Sequence, residues 1–374
     1  MTELHIPSTP LAGVLARIFE AAGASASEAQ AIADNLVEAS LKGHDSHGVA
    51  RTQKYIEWVG EGAVHFGKHI ESVLDGGAFA LLDGQLGFGQ VVGREAVEIG
   101  LAKAREHGVA VIGLRRAGHL GRIGAWAEMA CEAGLVSVHF VNVYNSLLVA
   151  PFGGAERVLS TAPVCIGVPN GGFGRSEDKG AGDFVLDFAT SRIAEGKAMI
   201  AYQAGTPTRE LAFVTPEGAE SDDPAIFYGR VPEGEAPDAS RGTGALAAMG
   251  AHKGSGLGIA CELLAGALTG SGAGQASEGR GVHNGMLSLY LDPARFDDGH
   301  GYGASVRAYV ETVRRTRPGV GVASVAIPGD IEHARETERR RNGLPLSEGV
   351  WDSILAAGEA VGLERSALER MAQG

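Results

Sequence analysis

The chain has 374 residues, of which 44% are hydrophobic and 21% charged, the ordinary mixture of a globular protein with two or three domains. Its formal net charge is −13 with no lysine or arginine run to offset it, which argues against nucleic acid or an anionic membrane surface as a partner. The sequence shows no charged-then-apolar leader and no apolar run near the ~18 residues of a membrane span, so a cytoplasmic protein is expected.

In chain order, residues 10–42 read as two helices. Leu11, Val14, Leu15, Ile18 and Phe19 form one apolar stripe on the first. The second opens on the capping-box pattern Ser27-Glu28-Ala29-Gln30 and ends at Gly43. A third helical pattern runs from His47 to Trp58. From residue 77, strand and helix alternate: a strand at 78–84, a helix at 90–108, a buried strand at 109–114, a polar turn through His119, a helix to Ala133 and a strand at 135–143. Apolar runs at 163–168 and 184–188 bracket a glycine-rich loop, and a helix follows from Ser191 to Gln203. Residues 215–248 read as a mobile surface excursion rich in Pro, Gly, Asp and Glu. A buried helix introduced by glycines (252–268), a strand (286–293), a helix (303–316) and a helical, charged tail (331–374) complete the pattern, which places helical ends around an α/β middle.

Glycine contributes 57 residues without a short repeat, as expected where a backbone turns tightly or approaches a cofactor. The segment Gly87–Gly93 resembles a dinucleotide fingerprint but is spaced GxGxxxG. It lacks an acidic residue some twenty positions on, so close strand–helix packing is the better reading. The segment His252–Gly258, HKGSGLG, sets a lysine beside glycines at a helix start, where backbone N–H groups and a cation can meet an anion. Cys131, Cys165 and Cys261 form no CxxC pair and sit in apolar surroundings, so buried free thiols are expected. Arg335, Arg339, Arg340 and Arg341 lie in a Glu-interleaved helical stretch that reads as a solvated face.

The densest polar cluster is Gly43–Arg51, GHDSHGVAR. His44, Asp45 and His47 could serve a metal-dependent hydrolase, although no third histidine or HExxH pattern adjoins them. Ser46 beside His47 suggests a hydrolytic nucleophile, but no GxSxG elbow is present. Asp45 or Ser46 could cap the third helix. Capping leaves His47 and Arg51 unexplained; four apart, they would share a helical face. His119, in a Gly-flanked turn after a buried strand, lies where α/β proteins hold ligands, and supports proton transfer as the common purpose.

These segments, with VAPFGGAERVLSTAPVCIGVP, FVLDFATS, HNGMLSLYLDPARF and VAIPGDIEHARETERRRNGLPL, occur in one order over most of the chain. Together they resemble the malate/L-lactate dehydrogenase family, which also includes ureidoglycolate and sulfolactate dehydrogenases, diketogulonate reductase and piperideine-2-carboxylate reductase. The resemblance implies an α/β, non-Rossmann NAD(P)-binding oxidoreductase with helical N- and C-terminal regions. It implies a helical unit at 1–75 and 330–374, an α/β catalytic domain at 76–145 and 250–329, and a cofactor-binding domain at 146–249. It implies a homodimer and a small 2-hydroxy/2-oxo acid or cyclic imino acid as substrate.

His119 is then the first choice of proton donor and acceptor, His47 polarises the substrate oxygen, Arg51 holds its carboxylate and Ser46 binds substrate or orients His47. The cofactor, NAD ahead of NADP, falls to Phe184, Val185, Leu186, Asp187, Phe188, Ala189 and Thr190, to His252 and Lys253, and to Gly329, Asp330 and Ile331. No metal is implied. The chain departs from many relatives at Gly118-His119-Leu120, where they have Asn-His-Phe, and at Thr161-Ala162-Pro163, where they have Thr-Asn-Pro. Its 143–150 loop is also longer than in some of them.

Overall fold

The computed structural model describes residues 3–170, 182–231, 238–274 and 281–373. Strand β1 (Glu3–Ile6) leads into α1 (Ser8–Ala21) and α2 (Ala26–Leu41). The stripe read on α1 is buried throughout, packed with Ile32, Ala33 and Leu36 of α2. Ser25, rather than Ser27, caps α2: its Oγ accepts the Glu28 N–H at 3.3 Å.

The helix expected over His47–Trp58 is instead two 3-10 turns, Asp45–His47 and Val49–Arg51, followed by α3 (Thr52–Gly60). Gly48 breaks it. Its backbone is not helical (φ −96°, ψ −149°), and it is pressed against Ser40, whose Oγ accepts the Val49 N–H at 3.1 Å. Neither Asp45 nor Ser46 caps α3, and His47 and Arg51 do not share one helical face.

The middle of the chain runs β2 (Glu71–Asp75), β3 (Phe79–Asp83), α4 (Gly89–His107), β4 (Val109–Ala117), α5 (Gly124–Glu132), β5 (Val136–Tyr144), β6 (Val164–Val168), β7 (Phe184–Phe188) and α6 (Glu195–Gln203). There follow β8 (Phe213–Val214), β9 (Glu220–Ser221), α7 (Ala225–Tyr228), β10 (Ala245–Leu246) and α8 (His252–Cys261), which continues as a π-helical turn, Glu262–Ala267. Then come β11 (His283–Leu291), α9 (Tyr302–Arg314), α10 (Asp330–Asn342), β12 (Leu344–Ser347), α11 (Glu348–Ala360) and α12 (Arg365–Gln373).

Seven strands form the main sheet in the order β2-β3-β4-β11-β5-β6-β7, and only β3 and β4 run parallel. A doubly wound dinucleotide fold requires a mostly parallel sheet, so the mixed, non-Rossmann α/β expectation holds. The sheet runs on through β6 and β7, across residue 146, where the sequence reading set a domain limit. Of the loop between those strands, residues 171–181 lie outside the described residues. Trp126 of α5 and Val92 and Val97 of α4 pack on Ile112, Leu114, Met286 and Tyr290 of the sheet. β1 pairs antiparallel with β12, joining the helices of both ends around one core that includes Leu15, Phe19, Leu36, Ile354 and Leu368.

The expected excursion at 215–248 is in part a small folded unit. β8, β9 and β10 form a three-stranded sheet over buried Phe213, Phe227, Tyr228 and Leu246; residues 232–237 lie outside the described ones. Arg157 explains how so polar a segment holds together. Its guanidinium donates to the carbonyls of Phe227, Ala239, Gly242 and Gly244 at 2.6–3.1 Å and stacks on the Phe227 ring. Helix α6 starts later than expected because Ser191 is bridged to Ala248. All three cysteines are buried free thiols.

Candidate active site

His119 leaves the end of β4 on a turn gripped from two sides. Gly89 of α4 lies so close to the Gly118 and His119 carbonyls that a Cβ there would clash, and Gly93 abuts Leu120 and Trp126. The Gly118 N–H donates to the Gly87 carbonyl (2.8 Å), and Asn284 of β11 accepts the Leu120 N–H (2.8 Å). The glycines of GFGQVVG therefore pack the histidine turn rather than cradle a phosphate.

The first 3-10 turn brings His47 over this histidine. The two imidazoles stack with centroids 5.3 Å apart and an interplanar angle of 13°. Arg51 stands beside them, its Nε donating to the Ser46 carbonyl at 2.6 Å. Burial, then the Arg51 charge, pushes His47 down to about 3 and His119 well below the usual histidine range. Both imidazoles are thus neutral at neutral pH, yet each keeps part of its surface open. Among the described residues His47 Nδ1 is buried without a hydrogen-bond partner. Ser46 packs its Cβ against Gly196 at the start of α6, so that helix touches the histidine corner.

Sequence reasoning missed three neighbours. Tyr55 Oη lies 2.7 Å from His119 Nδ1, Gln90 Nε2 donates to Tyr55 Oη at 3.0 Å, and the Trp58 ring meets His119 edge-on at 6.3 Å. The four-residue step from Arg51 to Tyr55 was available as a signal, whereas Gln90 lay hidden inside a motif read for its glycines.

The hydrolytic metal set is not assembled. His44 Nε2 faces Glu332 at 3.5 Å and Asp45 pairs with Arg339 at 2.6 Å, while His47 turns to His119. Among the described residues, no cluster of three metal-ligating side chains includes any of them. The arginine-rich stretch is also not a purely solvated face: Arg339 bonds Asp45 and the Ser40 carbonyl, and Arg335 lies against Gly43.

The three segments expected to hold a dinucleotide converge on β7. Val185 N–H donates to the Pro328 carbonyl (3.1 Å), which sets Phe184–Thr190 beside Gly329–Ile331. Gly329 has φ +102°, and a Cβ there would lie 2.8 Å from the Asp183 carbonyl, so only glycine fits. The Thr190 carbonyl accepts the Met249 N–H (2.9 Å) and Gly258 abuts Thr190 Oγ1, which brings α8 with its exposed His252 and Lys253 alongside. Leu186, Phe188 and Ala189 are half-buried and Ile331 is exposed.

Two carboxylates there already have protein partners. Asp187 Oδ2 accepts the Gly124 N–H at 2.7 Å; burial raises its carboxyl and the Arg122 charge opposes that. Asp330 accepts the Ile327 N–H at 2.9 Å and pairs with Arg314 at 2.5 Å. Arg122 is itself buried against Glu128 and Glu38. Burial raises Glu128, but Arg122 and Lys42 outweigh it and bring it down to about 2. A cavity of about 790 Å³ between α2, α5, α10 and β7 is lined by Val185, Gly329 and Glu332 and by Glu38, Lys42 and Glu128. Neither His47 nor His119 lines it.

Fold and sequence together place the chain among the hydroxy-acid dehydrogenases, a class of oxidoreductases. The chain belongs to the malate/L-lactate dehydrogenase family, whose sequence pattern matches residues 6–355. It is 32% identical over 360 residues to hydroxycarboxylate dehydrogenase B of Escherichia coli K12, covering 95% of this chain and 94% of that one. With the L-lactate dehydrogenase of Cupriavidus necator it shares 34% identity over 327 residues, 86% and 88% of the two chains. The structure of Δ1-piperideine-2-carboxylate reductase from Pseudomonas syringae superposes with a TM-score of 0.77 at 27% identity, covering 95% of this chain and 99% of that one. Among the described residues no helix is long and apolar enough to cross a membrane.

Proposed function

We propose that this chain is an NAD(P)-dependent dehydrogenase of a small 2-hydroxy/2-oxo acid, working as a cytoplasmic homodimer. The observation that carries the reading is the stacked pair of neutral, part-open imidazoles beside Arg51. His119 gives a proton to the substrate oxygen in one direction and takes it back in the other. His47 polarises that oxygen, Ser46 orients His47, and the Arg51 fork holds the substrate carboxylate.

The residues present fit a dinucleotide. Helix α8 opens on exposed His252 and Lys253; its Lys253 and Gly254 amides already donate to the Gly250 and Met249 carbonyls, so the lysine ammonium and the positive helix end are what suit a pyrophosphate. Phe184–Thr190 and Gly329–Ile331 supply the neighbouring walls. When bound, the dinucleotide supplies or accepts the hydride. NAD is favoured over NADP because acidic side chains outnumber basic ones around the cavity beside Gly329, which disfavours an additional phosphate.

A second reading, reduction of a cyclic imino acid, is supported by the likeness to the piperideine-carboxylate reductase. The same imidazole would then serve the ring nitrogen. Screening 2-oxo acids and cyclic imines with NADH and NADPH, followed by absorbance loss, tests both. Turnover of a 2-oxo acid, faster with NADH, is expected. No turnover on either class, together with no dinucleotide binding, would overturn the proposal.

A further inference from the structure

We infer that Tyr55 and Gln90 are positioning residues that fix the tautomer of His119, so that Nε2 carries the proton into the cleft and the Tyr55 hydroxyl resupplies it. This rests on the proposed function for its chemistry, but the hydrogen-bond logic stands on the structure alone. Gln90 Nε2 lies 3.3 Å from the His119 carbonyl and 3.0 Å from Tyr55 Oη. A carbonyl only accepts, so the contact with the His119 carbonyl assigns the facing Gln90 atom as the NH₂ group, which leaves Gln90 Oε1 buried without a partner among the described residues. Tyr55 Oη therefore accepts from Gln90. Its own hydrogen is left to point at His119 Nδ1, 2.7 Å away. Nδ1 accepts, and a neutral imidazole that accepts at Nδ1 must hold its hydrogen on Nε2.

The surroundings keep this chain of bonds closed. Tyr55 is 1% exposed and Gln90 2%, so water has little access to either. The Tyr55 ring is held by Phe19, Phe88 and Trp58 at centroid distances of 5.7–6.5 Å. The charged or titratable groups facing His119 are Arg51 and His47 from the 3-10 turns and Tyr55 from α3. Among the described residues no carboxylate acts on it to stabilise an imidazolium.

In the reducing direction the proton balance closes without a charged imidazole. Hydride and its electron pair reach the substrate carbon, and the substrate oxygen takes the Nε2 proton. Nδ1 takes the Tyr55 proton, leaving a phenolate; burial opposes that charge and pushes the Tyr55 hydroxyl up to about 12, while the Arg51 charge and the Gln90 amide act in the phenolate's favour. Solvent later returns one proton to Nε2 from the cleft, where His119 is part-open, and the Nδ1 proton passes back to the Tyr55 oxygen. His119 ends neutral in its other tautomer and reverts with that return.

Three variants and one spectrum test this. In ¹⁵N-histidine-labelled protein, the unaltered chain should show His119, assigned by loss of its signals in His119→Asn, as the Nε2–H tautomer. Finding Nδ1–H in the folded, unaltered chain would overturn the inference regardless of any activity. Tyr55→Phe keeps the ring packing; it should lower reductive kcat about tenfold or more with KM within about twofold. Its reductive kcat should also fall as pH rises from about 6 to about 8, because His119 must then donate as imidazolium, whereas the unaltered chain stays flat. Gln90→Glu reverses one bond: the new carboxylate accepts the Tyr55 hydrogen, and His119 should switch to Nδ1–H. A Tyr55→Phe protein with unaltered kcat and a flat profile, or a Gln90→Glu protein with the original tautomer, would sink the assignment. Absence of turnover in the unaltered chain would instead remove the proposed function, while the spectrum still decides the tautomer.

Discussion

At the scale of single residues, the proposed site rests on neutrality. A histidine in water is half-charged near pH 6.5, but burial and the fixed charge of Arg51 keep His47 and His119 uncharged. Replacing His119 by Ala should lower turnover by about two to four powers of ten while leaving dinucleotide binding intact, measured by steady-state rates and by coenzyme fluorescence. The sequence disclosed both histidines, Arg51 and Ser46 because polar residues crowd into two short corners. It did not disclose Tyr55, Trp58 or Gln90. An aromatic residue on a helix reads as core until its hydroxyl is seen against an imidazole more than sixty residues away in sequence.

At the scale of elements, α10 is the piece whose purpose was least visible. It follows directly on Gly329, runs along the histidine corner, and meets it through Glu332 to His44, Glu336 to Lys42 and Arg339 to Asp45. Asp45 is 56% exposed, so that ion pair alone contributes little; the bond from Arg339 to the Ser40 carbonyl adds to it. Arg339→Ala should cost about 1 kcal/mol of stability and lower kcat severalfold, read by thermal melting and steady-state rates on the same sample. Long periodic helices and buried strands were legible because their patterns are local. The four-residue strands β1 and β12 and the small sheet around Arg157 were not, since each exists only through partners distant along the chain.

For the whole molecule, buried histidines set a pH limit. His139 is fully buried between Ser137 and Ser288, and burial pushes it down to about 3. The unfolded chain binds a proton there below about pH 6.5 and the folded chain does not, so stability is complete above that value and falls as pH drops toward 3. The slope is about 1.4 kcal/mol per pH unit for each histidine held neutral. His47 and His119 add the same sign. Denaturation midpoints should therefore decline steadily below about pH 6; midpoints constant from neutrality down to about pH 4 would contradict this account.

The pairing of Glu3–Ile6 with Leu344–Ser347 also links places that share no chemistry. Strand β12 is separated from α10 by Gly343 alone. Peeling away residues 3–6 frees the far end of the helix that is ion-paired to the histidine corner. A proteolytic nick at Pro7 would thus act as a remote brake on turnover, exerted through a strand pairing rather than through any of the proposed site residues.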